Sequence, residues 1–300
     1  MPRRQYSLRV MTYDLFIGDR AFSSWSLRGW LMFEKFGLPC RVHMVGLYDG
    51  TMQADLADLP PARLVPVMRD ADGVVVGDTL AMAETLAERH PEAGLWPADP
   101  AARALARWMV AEMHSGFGAL RGDCPMQLLH QFEGFVPSEA VLADLARIEE
   151  LWSMARARHG QDGPWLFGDY SLADVFYAPV AARIAGYGLP VGQAAQDYVD
   201  LTLSETAFRR WRALGLTKSY DPVPYDMDLA KRAWPGPPPR PARAVESGDA
   251  ENATCPYSGK PVTHLLETGG RIFGFCNATC RDKTVNDQDA WPAFVALREK

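Results

Sequence analysis

The apolar and polar positions of this chain change period several times, and each change marks an element. Tyr13-Asp-Leu-Phe-Ile-Gly18 alternates and is rich in aromatic and branched residues, which predicts a strand. From Ser23 to Phe36 the apolar residues Trp25, Leu27, Trp30, Leu31, Phe33 and Phe36 follow helical spacing, behind a serine cap and ahead of Gly37. Arg41 to Leu47 reads as a second strand, and Asp49 to Arg63 as a polar connection with one irregular helical turn. Leu64 to Met68 and Gly73 to Gly77 are short β-rich runs around Asp70-Ala-Asp-Gly73, a hairpin turn. Thr79 to Arg89 returns to helix and stops before Pro91. The order βαβ, then a β-hairpin, then α is a thioredoxin-like plan.

Beyond Asp99 the strand pattern gives way to helical stretches over Pro100–Leu120, Ser138–His159, Ser171–Gly186 and Gln193–Ala213. Together they form an all-α helical bundle domain. Seven prolines between Pro222 and Pro241 forbid a regular helix or central strand and predict an extended tether. The fold class is therefore α+β. A thioredoxin-like domain at 11–91 precedes an all-helical domain at 98–220, a proline-rich linker at 221–253 and a small cysteine-containing module at 254–300.

Composition narrows the function. A chain of 300 residues suits two domains with an appendage, and 48% hydrophobic residues put it in the ordinary globular range. A net charge of −6 argues against a general nucleic-acid binder. No run approaches the roughly 18 apolar residues of a membrane span. MPRRQYSLRVM has the basic start of a signal peptide, but Asp14, Asp19 and Arg20 interrupt any apolar core, so a disordered leader and a cytoplasmic location are expected. Met11 is an alternative start. Five cysteines, an odd number, do not make a disulfide framework, and the isolated Cys40 and Cys124 read as small buried hydrophobes.

Three short segments in the first domain carry candidate chemistry. Ser23-Ser24-Trp25-Ser26 opens the first helix, where a hydroxyl and the helix dipole both favour an anion such as a thiolate. Val65-Pro66 begins a strand, a position where proline is tolerated at an edge or as a cis bond. Asp78-Thr79 opens the last helix of the domain, whose free N–H groups suit a carboxylate. Each serine, and Asp78-Thr79, also fits simple capping.

In this order the segments resemble cytosolic glutathione S-transferases, in particular bacterial serine-type members with a zeta-like SSC motif, from which Trp25 departs by replacing the cysteine. The resemblance implies that Pro66 is cis and that Val65 pairs with the glutathione backbone. It places the γ-glutamyl carboxylate on Thr79 and the amino group near Asp78. Ser23, in preference to Ser24, would stabilise the glutathione thiolate for attack on a hydrophobic electrophile. Arg63 and Gln53 are candidates for the glycyl carboxylate. Gly168-Asp-Tyr-Ser-Leu-Ala-Asp174 resembles the family's S-x-A-D box, a structural cap. The helix from Pro100 corresponds to the one lining the electrophile pocket. On it His114, Phe117 and Arg121 share a face at spacings of three and four, and with Trp25 they are the pocket candidates; helix packing explains His114 equally well. A homodimer is implied, with conjugation, isomerisation and thiol reduction as possible reactions. The alternative is a non-catalytic glutathione-binding protein whose tail senses or carries metal.

The tail holds Cys255, Cys276 and Cys280, the last two one helical turn apart. It resembles three-cysteine treble-clef-like modules of metal-trafficking and metal-sensing proteins, which implies a bound ion such as Zn2+. A closed zinc site takes four ligands, and Ser258 stands where a C-x-x-C knuckle would place the second thiol. His264, Asp282 and Asp287 are candidates for the missing one, while three thiolates alone would suit exchange or Cu(I). A tail this small struggles to fold on its own core, which favours a metal or docking on the helical domain; a degenerate metal-free remnant is the alternative.

Overall fold

The computed structural model describes residues 12–300. The leader read at residues 1–11, with Met11, lies outside them. The chain divides into two compact units. One holds the described residues up to Asp19, Ser23–Gly116 and Ala155–Tyr177; the other holds Arg20–Phe22, Phe117–Met154 and Ala178–Lys300.

In the first unit β1 (Tyr13–Ile17) buries Tyr13, Leu15 and Ile17 completely, the alternation that the sequence shows. It is followed by α1 (Ser24–Glu34), β2 (Cys40–Met44), the four-residue α2 (Met52–Asp55), β3 (Val67–Arg69), β4 (Val75–Val76) and α3 (Thr79–Arg89). The strands lie in the order β2-β1-β3-β4, with β1 parallel to β2 and antiparallel to β3. The mixed sheet and its helices make the thioredoxin-like arrangement that the pattern predicts. Asp70 fastens the β3–β4 turn to α3. Its carboxylate accepts from the backbone N–H groups of Asp72 (2.9 Å) and Val74 (2.8 Å) and from Arg89 at 2.6 Å.

The same unit contains α4 (Pro100–Ser115), where the predicted helix over Pro100–Leu120 ends early. Gly116 follows in an extended conformation, and an added Cβ there would lie 2.7 Å from the Glu112 carbonyl oxygen. Phe117 then adopts φ 55, a left-handed conformation, before a new helix α5 (Gly118–Asp123) begins. His114, Phe117 and Arg121 therefore do not share the face of one helix, and the spacing argument that joined them fails. The S-x-A-D box is present as a cap. The Asp174 carboxylate accepts from the Ser171 N–H at 2.9 Å, and the Ser171 hydroxyl accepts from the Ala173 N–H at 3.2 Å.

Helices supply most of the second unit up to Gly215: the beginning of α6 (Glu139–His159), the end of α7 (Leu172–Tyr187), α8 (Gln193–Ser204) and α9 (Thr206–Gly215). The predicted helix over Gln193–Ala213 is two helices, because the Glu205 carboxylate accepts from the Ala207 and Phe208 N–H groups and starts a new one. One strand interrupts the helices, β5 (Gln131–Glu133), which pairs with β6 (Ala230–Arg232) in the proline-rich segment. That segment also supplies β7 (Arg243–Val245), an edge strand beside β8 (His264–Thr268) and β9 (Arg271–Phe275). The tail ends with α10 (Ala278–Asn286) and α11 (Pro292–Arg298).

Leu266, Phe273, Phe275, Trp291 and Phe294 form the tail's core, joined by Cys255 and by Ala213 of α9. The Arg209 guanidinium on α9 donates to both Asp287 oxygens at 2.8 and 2.7 Å, and the Asn286 amide donates to the Ala213 carbonyl at 3.0 Å. These contacts with α9 supplement the small core of the tail. Among the described residues no helix is long and apolar enough to cross a membrane.

Candidate active site

Ser23 caps α1. Its hydroxyl accepts from the Ser26 N–H at 3.3 Å and donates to the Ser26 oxygen at 2.8 Å, and the Ser26 oxygen also accepts from the Gly18 N–H at 2.9 Å. Ser24 is the first residue of α1, and both serines are buried. The turn between β1 and α1 is thus fixed by hydroxyls that the sequence places at the helix start.

The peptide bond between Val65 and Pro66 is cis, as the resemblance implied. Val65 is buried and lies just before β3. Pro66 meets α1 at Gly29, where an added Cβ would lie 2.8 Å from two atoms of the proline ring. A glycine in the middle of an apolar helix was the visible signal for this close approach, and the pattern reading passed over it.

At the start of α3 one Asp78 oxygen accepts from the Leu80 and Ala81 N–H groups, at 2.8 and 3.0 Å. The other lies 3.2 Å from His114 Nε2. Thr79 is 2% exposed, and its hydroxyl oxygen is buried without a hydrogen-bond partner. A buried hydroxyl left unpaired costs about 1–3 kcal/mol. It lies at the positive end of an 11-residue helix. Arg63 and Gln53 are exposed.

Of the pocket candidates, Trp25 and His114 meet edge to face with centroids 5.2 Å apart. Phe117 and Arg121 belong to the other unit. A group that the pattern reading missed stands beside Trp25. Arg28, 1% exposed, donates from Nε to the Phe176 carbonyl at 3.0 Å and lies 4.4 Å from the Trp25 ring centroid and 5.6 Å from that of Phe176. An arginine among the apolar positions of α1 was its signal.

The tail thiols converge. One ligand atom each of Cys255, Cys276 and Cys280 lies within 4.8 Å of the others, and the Cys276–Cys280 sulfur separation is 4.0 Å. Cys255 is buried; the other two are half-buried. Burial opposes ionisation of Cys255, but the backbone N–H groups of Cys276 and Tyr257 and the Ser258 side chain bring its thiol down to about 7. Burial, then the Cys255 charge, push Cys280 up to about 11. None of the suggested fourth ligands joins them. His264 Nδ1 pairs with the Thr263 hydroxyl at 2.9 Å, Asp282 with Arg281 at 2.7 Å, and Asp287 with Arg209.

Residues 22–89 match the model of the glutathione S-transferase N-terminal domain. A probable maleylacetoacetate isomerase of Caenorhabditis elegans is 28% identical over 163 residues, 53% of this chain and 75% of that one. The maleylacetoacetate isomerase of Dictyostelium discoideum is 31% identical over 118 residues, 38% of this chain and 52% of that one. Among solved structures, a Burkholderia glutathione transferase homologue with bound glutathione covers 69% of this chain and all of its own (100%), at TM-score 0.51 and 24% identity. A Trametes versicolor omega glutathione transferase covers 67% of this chain and 93% of its own, at TM-score 0.52 and 20% identity. Residues 22–89 thus match a glutathione S-transferase N-terminal domain, and the chain shares the fold of solved glutathione transferases and is similar to maleylacetoacetate isomerases.

Proposed function

We propose that the first unit binds glutathione along β3 and the starts of α1 and α3, and that Ser23 stabilises its thiolate for attack on an electrophile. The observation that carries this reading is the unpaired, buried Thr79 hydroxyl at the N-terminus of α3. It would donate to the γ-glutamyl carboxylate, Asp78 would receive the amino group, and Val65 would meet the cysteinyl backbone beside Pro66. Arg63 is the proposed partner of the glycyl carboxylate.

Ser23 can serve both cap and thiolate. Its proton now points to the Ser26 oxygen at 2.8 Å, a neutral bond of about 1 kcal/mol. Turning that proton toward a thiolate exchanges it for a charge-assisted bond of about 1.5–3 kcal/mol, so the switch is favourable. The acceptor side of the oxygen keeps capping α1.

The thiolate adds to the activated carbon of an unsaturated carbonyl compound. A carbon–sulfur bond forms while the double-bond pair moves to the carbonyl oxygen. Protonation of this enolate gives a conjugate. Rotation about the new single bond followed by loss of the thiolate gives the geometric isomer and returns glutathione. The maleylacetoacetate isomerases among the relatives support the second course, and Arg28 supplies a fixed positive charge for a carboxylate-bearing substrate. Trp25 and His114, which meet edge to face, are the proposed pocket residues of the first unit. The non-catalytic alternative is not favoured, since the curated relatives are named as enzymes.

Lowering the glutathione thiol by about two pKa units raises its ionised fraction at neutral pH roughly 20-fold. Ser23→Ala should therefore lower kcat/KM by about that factor and move the alkaline-rising limb of the pH–rate profile upward. An unchanged profile removes Ser23 from the mechanism, and a loss confined to Ser24→Ala transfers the role to Ser24. We further propose a cytoplasmic homodimer. Light scattering of the purified chain tests the oligomeric state. For the tail we propose a metal-holding module, on the convergence of Cys255, Cys276 and Cys280.

A further inference from the structure

Three thiols that approach one another without bonding need a reason. Burying them together forfeits hydration and crowds groups that repel once ionised. Thiolates around one zinc ion, with bonds of about 2.3 Å, stand roughly 3.8 Å apart. The Cys276–Cys280 separation of 4.0 Å is close to that spacing, and Cys255 lies within 4.8 Å of both. The surroundings also fit a cluster carrying negative charge. The Asn277 amide donates toward the Cys276 sulfur at 3.4 Å. The Lys283 ammonium, on the helix that carries Cys280, is held 3.8 and 3.7 Å from the ring centroids of Tyr257 and Trp291.

A hydroxyl oxygen stands beside the sulfurs. Ser258 donates its hydroxyl to the Cys276 sulfur at 3.2 Å, and among the described residues no histidine, aspartate, glutamate or further cysteine reaches the cluster. Cu(I) is served by soft sulfur donors, whereas zinc accepts oxygen and sulfur in one tetrahedron.

Resting on the metal-holding reading of the tail, we infer that Cys255, Cys276 and Cys280 bind one Zn2+ ion whose fourth position, beside Ser258, is left to an exchangeable oxygen donor. Each thiol enters as a thiolate, its proton passing to solvent, so uptake acidifies a weakly buffered solution. The site differs from a closed structural knuckle by a single atom type at position 258. That makes it a holder that can admit a further soft ligand.

The test uses the full chain, reduced and loaded with zinc, then with cobalt as a spectroscopic stand-in. Wild type should hold stoichiometric zinc, and Cys276→Ser should weaken it by at least about tenfold against a chelator. Cobalt spectra should report three thiolates and should change when a small thiol is added. Ser258→Cys should supply the fourth thiolate, tighten binding by about tenfold or more and abolish the response to added thiol. Because this variant gains a property, a folding defect cannot mimic its success. Failure of wild type to hold any metal overturns the metal reading itself. Zinc held equally by Cys276→Ser, Cu(I) held in place of zinc, or a four-thiolate spectrum in wild type leaves a metal module standing and overturns this site.

Discussion

Replacing Thr79 by valine should make the free protein more stable and glutathione binding weaker. The two β-branched side chains differ by a hydroxyl against a methyl, so the backbone at the start of α3 has no cause to move. In the free protein the hydroxyl is buried, at 2% residue exposure, and makes no hydrogen bond. Removing it relieves a desolvation cost of about 1–3 kcal/mol, and the new methyl adds apolar burial. A gain of about 1 kcal/mol in unfolding free energy is expected after imperfect packing. In the complex the same hydroxyl would donate to a carboxylate, a bond of about 1.5–3 kcal/mol. Its loss corresponds to about 10- to 150-fold weaker binding.

The assay pairs denaturant unfolding without ligand with calorimetric titration of glutathione, on wild type and Thr79→Val. Opposite signs in the two measurements are the signature, since a structural hydroxyl would change stability and leave affinity alone. Loss of 1 kcal/mol or more of stability, with affinity unchanged, would refute the reasoning at its root. Thr79→Ser provides the control: it keeps the donor and should keep the affinity.

Gly29→Ala should be destabilising although alanine is the better helix former by about 1 kcal/mol. Its Cβ meets the Pro66 ring at 2.8 Å, so KM for glutathione should rise with little change in kcat, and a stabilised variant with unchanged KM would contradict this. Asp70 is held below the ordinary carboxylate range: burial opposes ionisation, but the Val74 N–H, Arg89 and the Asp72 N–H outweigh it. A carboxyl with a depressed folded-state pKa contributes stability above its unfolded value near 3.9, and that contribution is lost as pH falls through the folded value. Acid unfolding below about pH 4 should therefore cost Asp70→Asn less than wild type, and parallel acid titration curves would count against it. Arg209→Ala strands the Asp287 carboxylate in the tail's docking contact, where the pair's side chains are 19% and 9% exposed. Proteolysis of the tail ahead of the rest of the chain is the expected result, and uniform resistance the opposing one.

What the sequence revealed followed the range of the interactions involved. The strand at Tyr13, the hairpin around Asp70 and the caps at Ser23, Asp78 and Ser171 are set by neighbours within a few residues, and their patterns were legible. Gly116 was also visible, but the helical periodicity continued through Phe117 and Leu120 and hid the break that Gly116 makes. Glu205 escaped notice because glutamate is an unusual cap residue. Arg28 and the contact of Gly29 with Pro66 depend on parts of the chain distant in sequence. No local period encodes them.

The convergence of the tail thiols has the same long-range origin, yet the spacing of Cys255, Cys276 and Cys280 and its resemblance to three-cysteine modules implied it. Thr79 and the three thiols then share a physical property. Elsewhere the buried polar groups at caps and turns are paired, as Ser26, Asp70 and Asp174 are. At position 79 a hydroxyl is buried without a hydrogen-bond partner, and in the tail three thiols are gathered within 4.8 Å of one another. A buried polar group without a partner carries a free-energy cost that a ligand can offset. The proposed ligands follow from the chemistry of each: a hydroxyl at a positive helix end suits a carboxylate, and clustered sulfurs suit a thiophilic cation. The two demands are chemically orthogonal, so glutathione affinity in Cys276→Ser and zinc affinity in Thr79→Val should each match wild type.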